Sequence, residues 1–380
     1  MHVLRRRRRG LLVLTSLATA LLAVSTGLTA AAEPQQADPL QQRVDAIHDT
    51  GVVGVLAEVT SPDTRDSARA GTAAMGSRKP MPQNGRFRIG SATKTFTAAV
   101  VLQLVGEGRM SLDDTVEQWL PGVVRGNGND GSRTTVRMLL QHTSGIRDVG
   151  PEIAALKSAD GYRAERFRTY TSGELVGLAM QDPPRFTPPG TGWSYSNTNY
   201  ILAAMIIDKV TGRSWAREVK DRIIRPLDLR DTSTPGAFPS ILGPHARGYA
   251  AFGTDTAIDV TVLNSTMAVG SGSIISTAHD LNRFYSALLG GRLLAPAQLG
   301  EMTTTVLAPE LGVGYGLGLA EVSLSCGGSY FGHRGELLGY VTWVGTTRDG
   351  ARTAAVYVTG DGGEDTWGAM TTLVDRELCR

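Results

Sequence analysis

Lysine is nearly missing from this chain. Of 38 basic residues in 380, only five are lysine (Lys79, Lys94, Lys157, Lys209 and Lys220), so each one raises the question of why arginine does not stand there. Arginine keeps its proton under ordinary conditions, whereas a lysine stripped of water can release one and become a base. Cysteine is scarcer still, with only Cys326 and Cys379. Two cysteines and six scattered histidines offer no zinc-ligand spacing, and His-Glu-x-x-His is absent, so neither a metal site nor a cofactor is expected. No Gly-x-Ser-x-Gly occurs, which argues against the nucleophile elbow of an ordinary α/β-hydrolase. The glycine-rich GVGYGLG at 312–318 lacks the lysine and the strand-to-helix setting of a phosphate loop, and reads as strand packing. What remains, 41% hydrophobic and 19% charged, is ordinary for a soluble globular chain with room for two lobes.

Charge of one sign is concentrated at a single place. Arg5 to Arg9 precede an apolar run, LLVLTSLATALLAVSTGLTAAA, that ends in small residues, which is the pattern of an export signal over 1–32. Secretion is therefore expected, or a membrane anchor if the signal is retained. Removing the five arginines of that segment, which holds no acids, moves the formal charge from +2 to −3. The basicity belongs to the signal, and no nucleic-acid partner is expected. In an exported chain Cys326 and Cys379 pair most simply as one disulfide between the C-terminal helix and a strand, with two buried free thiols as the alternative.

Patterning along the chain predicts an α+β fold. LQQRVDAIHDT reads as a helix and GVVGVLAEVT as a strand, and FTAAVVLQLV is apolar nearly all round, as a buried central helix would be. GNGNDGS at 126–132 reads as a surface connector, and Asn197 or Thr198 is expected to cap a helix closed by Gly212. The C-terminal third alternates short apolar runs with turns, including Asp349-Gly350, before a last helix in TWGAMTTLVDREL. Strands at both ends around a helix-rich middle predict an antiparallel sheet flanked by N- and C-terminal helices with an inserted all-helical lobe. The expected boundaries are 33–110 and 270–380 for the α/β lobe and 111–269 for the helical lobe.

Lys94 is the only lysine with a serine three residues before it, in GSATKTF at 90–96. If Ser91 opens the buried helix, the two side chains share a face and the amine can sit against the hydroxyl. Burial would disfavour the lysine's charge, and the helix N-terminus with the Ser91 N–H would favour a developing oxyanion. Ser-x-x-Lys alone recurs by chance about once in a chain of this length, so the motif decides nothing by itself.

Three motifs in order carry more. SATK at 91–94, YSN at 195–197 and HRG at 333–335, with the flanking FRIGSATKTFTAAVVLQLVGEGRMSLDDTVEQWLPG, MLLQHTSGI, PPGTGWSYSNTNY, RPLDLRDT and GYGLGL, resemble the beta-lactamase-like family of penicillin-recognising serine hydrolases over residues 40–380. The likeness is greatest to its secreted D-alanyl-D-alanine carboxypeptidases, whose third motif also begins with His and whose cysteines are similarly placed. The resemblance implies Ser91 as an acylated nucleophile, Lys94 as its proton-handling partner and Tyr195 as a proton relay. It implies Asn197 as the holder of the acyl-side amide, and His333 and Gly335 as part of the substrate edge. His333, where many relatives carry Lys, would then have a charge that responds to pH near neutrality. The Glu336 backbone N–H becomes the second oxyanion donor. His142, in QHTSGI, is assigned a structural role.

The same resemblance implies small peptide, ester or amide substrates such as a peptidoglycan stem peptide, beta-lactams as covalent inhibitors, and a monomer. Two departures bear on recognition of a C-terminal carboxylate: Arg334 stands where Thr or Ser is usual, and Ala320 where the carboxypeptidases have Arg. On a strand 334 and 336 face the same way, so Arg334 clamps a carboxylate itself, is neutralised by Glu336, or points with it to solvent without a role. The second case leaves a site for esters, amides or amine-bearing substrates. The expectation is a D-Ala-D-Ala carboxypeptidase or transpeptidase acting through an acyl-enzyme. The alternatives are an esterase, a D-amino-acid amidase or aminopeptidase, or a beta-lactamase on the same fold, and, from another class, a penicillin-binding sensor without turnover.

Overall fold

Strands from the two ends of the chain build one sheet. The computed structural model describes residues 39–380, and the expected export signal lies outside them. In chain order the strands are β1 (Gly54–Thr60), β2 (Arg65–Gly71), β3 (Val306–Ala308), β4 (Val313–Tyr315), β5 (Ala320–Ser323), β6 (Ser329–Glu336), β7 (Tyr340–Thr347) and β8 (Thr353–Thr359). Their order across the sheet is β2-β1-β8-β7-β6-β5-β4-β3, and neighbouring strands are antiparallel. The last strand closes on the first, with Gly54 opposite Thr359 and Thr60 opposite Thr353. Residues between β2 and β3 add no strand to this sheet.

The period-two alternation of strands sorts the apolar residues onto two faces. Val55, Ala57 and Val59 of β1 and Ala354, Val356 and Val358 of β8 pack against Leu40, Val44 and Ile47 of the N-terminal helix (Pro39–His48) and Met370, Leu373 and Val374 of the C-terminal helix (Glu364–Leu378). Leu56, Ala355 and Tyr357 point the other way, into a larger core shared with the central helix (Thr93–Gly106) and the helix Ala278–Leu289. The edge strand β2 turns Arg65, Asp66, Ser67 and Arg69 to solvent, which discourages pairing with another chain.

The central helix runs through that core with no solvent face along most of its length, which explains its all-round apolar sequence. Its hydroxyls are tied off inside: Thr95 Oγ1 donates to the Gly318 carbonyl (2.7 Å), and Thr97 Oγ1 donates to the Gly270 carbonyl (2.7 Å). A side chain at Gly318 would place its Cβ 2.6 Å from the Ala98 Cβ, so the glycines of GVGYGLGL let that segment press on the helix.

GNGNDGS, expected as a surface connector, is a partly exposed link that folds into a two-stranded hairpin, Arg125–Gly126 with Asn129–Asp130, because positive φ at Asn127 and Gly128 turns the chain back on itself. Two local expectations are corrected. The helix Asn197–Thr211 is N-capped by Ser196, with Asn197 and Thr198 already inside it, and it closes on left-handed Gly212. The disulfide joins Cys379, just past the C-terminal helix, to Cys326 in the turn between β5 and β6, not to a strand.

Glu58 of β1 is 1% exposed; its carboxylate accepts from Arg65 Nη2 (2.8 Å) and contacts His279 Nδ1 (2.9 Å). Burial alone would raise its pKa, but the His279 and Arg65 contacts outweigh it and hold the carboxyl below its usual 4.5. A depressed carboxyl contributes stability that is present above the unfolded pKa and lost as pH falls through the folded one. Glu58→Gln is expected to cost about 2 kcal/mol in chemical denaturation at pH 7. The gap to the wild type should close as the pH is brought well below 4.5.

Candidate active site

Ser91 sits in a 3-10 turn, Gly90–Ala92, that feeds the central helix, so it precedes that helix instead of opening it. The three-residue spacing still brings the pair together, with Lys94 Nζ 3.0 Å from Ser91 Oγ. Two glycines decide what lies opposite. Gly90 has φ +52°, and a Cβ there would lie 2.4 Å from the Glu336 backbone nitrogen. A Cβ at Gly335 would lie 2.0 Å from the Ile89 carbonyl oxygen. Without side chains at either position, the end of β6 presses onto the serine turn. This brings the Glu336 amide against the turn that carries the Ser91 N–H, the pair an oxyanion would require.

Lys94 is completely buried. Its amine lies 2.7 Å from Asn197 Oδ1 and 2.9 Å from the Ser271 carbonyl oxygen. Desolvation brings its pKa from 10.5 down to about 7, against a smaller upward pull from Asp148. A neutral amine has two N–H groups and one lone pair. The N–H groups satisfy Asn197 and Ser271, and the lone pair is left facing the Ser91 hydroxyl. That geometry can take the serine proton.

The other predicted residues surround this pair. The Tyr195 ring centroid is 4.8 Å from Lys94 Nζ, and burial raises its phenol pKa against a smaller downward pull from the neighbouring Ser91. Tyr195 therefore remains a phenol that can give a proton. The buried His142 lies under it, centroids 4.3 Å apart, and its Nδ1 accepts the Ser196 N–H (3.2 Å). Burial holds His142 neutral, and it occupies the left-handed C-cap of the helix Val136–Gln141.

His333 departs from expectation. It is 5% exposed, and desolvation with the nearby Lys94 charge brings its pKa down to about 3, so it stays neutral through physiological pH. Its Nδ1 donates to the Arg334 carbonyl, and its Nε2 accepts from the Tyr315 hydroxyl (2.9 Å). Here it is a neutral wall, and no pH-responsive cation stands at this position.

The family model for beta-lactamase matches residues 35–377. The chain belongs to the beta-lactamase family. Penicillin-binding protein 4* of Bacillus subtilis (strain 168) is 28% identical over 287 residues, 72% of this chain. The chain spans 60% of that relative's length and 53% of each of the next two. Among solved structures, a D-stereospecific amidohydrolase from Streptomyces sp. is 43% identical with a TM-score of 0.81, covering 87% of this chain and 97% of that one. The D-amino acid amidase of Ochrobactrum anthropi SV3, complexed with D-phenylalanine, is 27% identical with a TM-score of 0.77, covering 89% and 96%.

Arg334 and Glu336 do face the same way, 4.0 Å apart and 47% and 62% exposed. The Arg334 guanidinium, however, lies 3.9 Å over the ring of Trp367 on the C-terminal helix. A cavity of about 420 Å³ runs from Ser91, Tyr195 and His333 past Val313, Ala320 and Trp343, with Glu310 and Glu336 among its polar lining. A second, of about 290 Å³, opens on the Asn197 side among Val149, Ile153, Leu156, Met267 and Leu337.

Sequence reasoning missed Ser271, which contributes only a carbonyl and so leaves no side-chain signal. It also missed Glu310, which accepts the Tyr195 N–H (3.3 Å), and Asp148, which accepts from Asn197. Asp148 lies just past the QHTSGI string, the only hint in the text.

Two outcomes follow. Because Lys94 must be neutral to accept a proton, Ser91 acylation by an activated ester should fall as pH drops through about 7. Gly90→Ala, whose methyl would collide with the Glu336 backbone, should lower kcat roughly 100-fold with a smaller effect on KM.

Proposed function

We propose that this chain is a serine hydrolase that cleaves amides and esters of D-amino acids through an acyl-enzyme on Ser91, in preference to acting as a D-Ala-D-Ala carboxypeptidase. The observation that carries this is the missing grip on a carboxylate. Arg334 is engaged by Trp367 and Glu336, position 320 is Ala, and Glu310 and Glu336 border the cavity on the Tyr195 side. A leaving group with a free carboxylate would enter a rim where two acids face one committed cation, whereas an amide or ester meets no such repulsion. The 43% identity to a D-stereospecific amidohydrolase supports the D configuration.

The steps use groups already in place. Lys94 takes the Ser91 proton as the serine oxygen attacks the carbonyl carbon, and the oxyanion rests on the Ser91 and Glu336 N–H groups. Tyr195, a phenol beside Ser91, delivers a proton to the departing nitrogen or oxygen and is recharged from Lys94. Water repeats the sequence on the ester and frees Ser91. Asn197 holds the acyl side, where the aliphatic cavity begins. This proton path has no use in a pure binding protein, which weighs against a sensor. Export by the N-terminal signal, action as a monomer and covalent inhibition by beta-lactams belong to the same proposal.

The test compares a D-Ala-D-Ala peptide, its C-terminal amide, and the amides of D- and L-phenylalanine. The C-terminal amide should be cleaved at least about tenfold faster than the acid, and the D-phenylalanine amide faster than its L isomer, with all activity lost in Ser91→Ala. Faster cleavage of the free acid would overturn the reading in favour of a carboxypeptidase.

A further inference from the structure

The Asn197 amide has two ends of similar shape and opposite hydrogen-bonding character, an acceptor oxygen and a donor NH2. Nothing in the side chain itself determines which end meets Lys94. In the structure the oxygen does, at 2.7 Å. The other end is held by Asp148, whose Oδ1 accepts the Asn197 backbone N–H (2.9 Å) and whose Oδ2 accepts from Asn197 Nδ2 (3.3 Å). A carboxylate is acceptor-only, so it selects the NH2 end and leaves Oδ1 pointing at the amine. Its carrier segment is pinned to the same helix start. The Arg147 carbonyl accepts from Thr198 Oγ1 (2.7 Å) and Ser196 Oγ (3.2 Å), and the Val149 N–H donates to Thr198 Oγ1 (3.0 Å).

We propose that Asp148 is the positioning residue of this site, fixing through Asn197 the end of the amide that meets Lys94 and hence the direction in which the amine faces Ser91. The role rests on the serine-hydrolase reading above. Asp148 acts through another residue and makes no bond to Ser91 or Lys94.

The groups facing Lys94 are Ser91, Asn197, the Ser271 carbonyl, the rings of Tyr195 and Tyr200 at 4.8 and 5.5 Å, and the histidines His142 and His333. Desolvation lowers the lysine pKa and Asp148 is the acid that pulls it back up. Removing that charge lets the pKa fall further, so the neutral amine persists to lower pH and the acid limb of the rate profile moves down. A freed Asn197 meanwhile holds the amine and the substrate less well, so the plateau drops. Loss of a purely structural contact would lower the plateau without moving the limb.

The test measures kcat/KM for an activated D-phenylalanine ester from pH 5 to 9, with burst titration of acyl-enzyme, on the full chain carrying Asp148→Asn, Asp148→Ser, Asn197→Ala or the Asp148→Asn/Asn197→Ala pair. The isosteric Asn variant guards against misfolding, and thermal melting is followed alongside. Expected are a plateau roughly 10- to 100-fold lower, an acid limb displaced downward by about half a pH unit or more, and a double variant no worse than Asn197→Ala alone. An unmoved limb, a plateau within twofold of wild type, or additive effects would overturn the role while leaving the hydrolase reading intact. A wild-type protein that never acylates at Ser91 would overturn both.

Discussion

The Lys94 amine is buried among three acceptors, the Ser91 hydroxyl oxygen, Asn197 Oδ1 and the Ser271 carbonyl, and none of them is a carboxylate. A charged ammonium would fill all three with its three N–H groups but would lack a counter-ion in direct contact. A neutral amine fills two and turns a lone pair to the serine. Bringing the pKa from 10.5 to about 7 amounts to roughly 5 kcal/mol against the charged form. Arginine could not make that exchange, since its guanidinium keeps its proton even when buried. The choice of lysine here, in a chain that otherwise prefers arginine, follows from this one requirement.

The fold supplies the desolvation and the aim. A helix buried along most of its length carries Lys94 inward, and the sheet built from both chain ends delivers β6 across the serine turn. Gly90 and Gly335 permit that approach to the distance of backbone contact. Lys94 is therefore embedded in the core of the molecule, with Ser91 and Tyr195 at its edge. Arg334, Glu336 and Glu310 stand exposed at the rim, where substitution leaves the core untouched.

The parts legible in the sequence were those with a local signature. The helix from Thr93 was written in a largely apolar run, the terminal strands and helices in their periodicity, and the site's three elements in short strings at 91–94, 195–197 and 333–335. What was hidden depended on contacts between distant segments. Ser271 acts through its backbone, and Asp148 acts across 49 residues on Asn197. His333 was expected to titrate near neutrality because histidine does so in water, and the structure instead buries it against Tyr315 beside a lysine. Ser196, not Asn197, caps its helix because Asn197 is drawn to Lys94 and Asp148.

The scarcity of lysine also supplies the sharpest test. Incorporating lysine labelled with 13C at Cε gives five resonances, each reporting its own protonation state across a pH titration. The account predicts that one of them, identified by its loss in Lys94→Met, titrates near 7. A Lys94 signal that stays that of an ammonium to pH 9 would contradict the account at its centre.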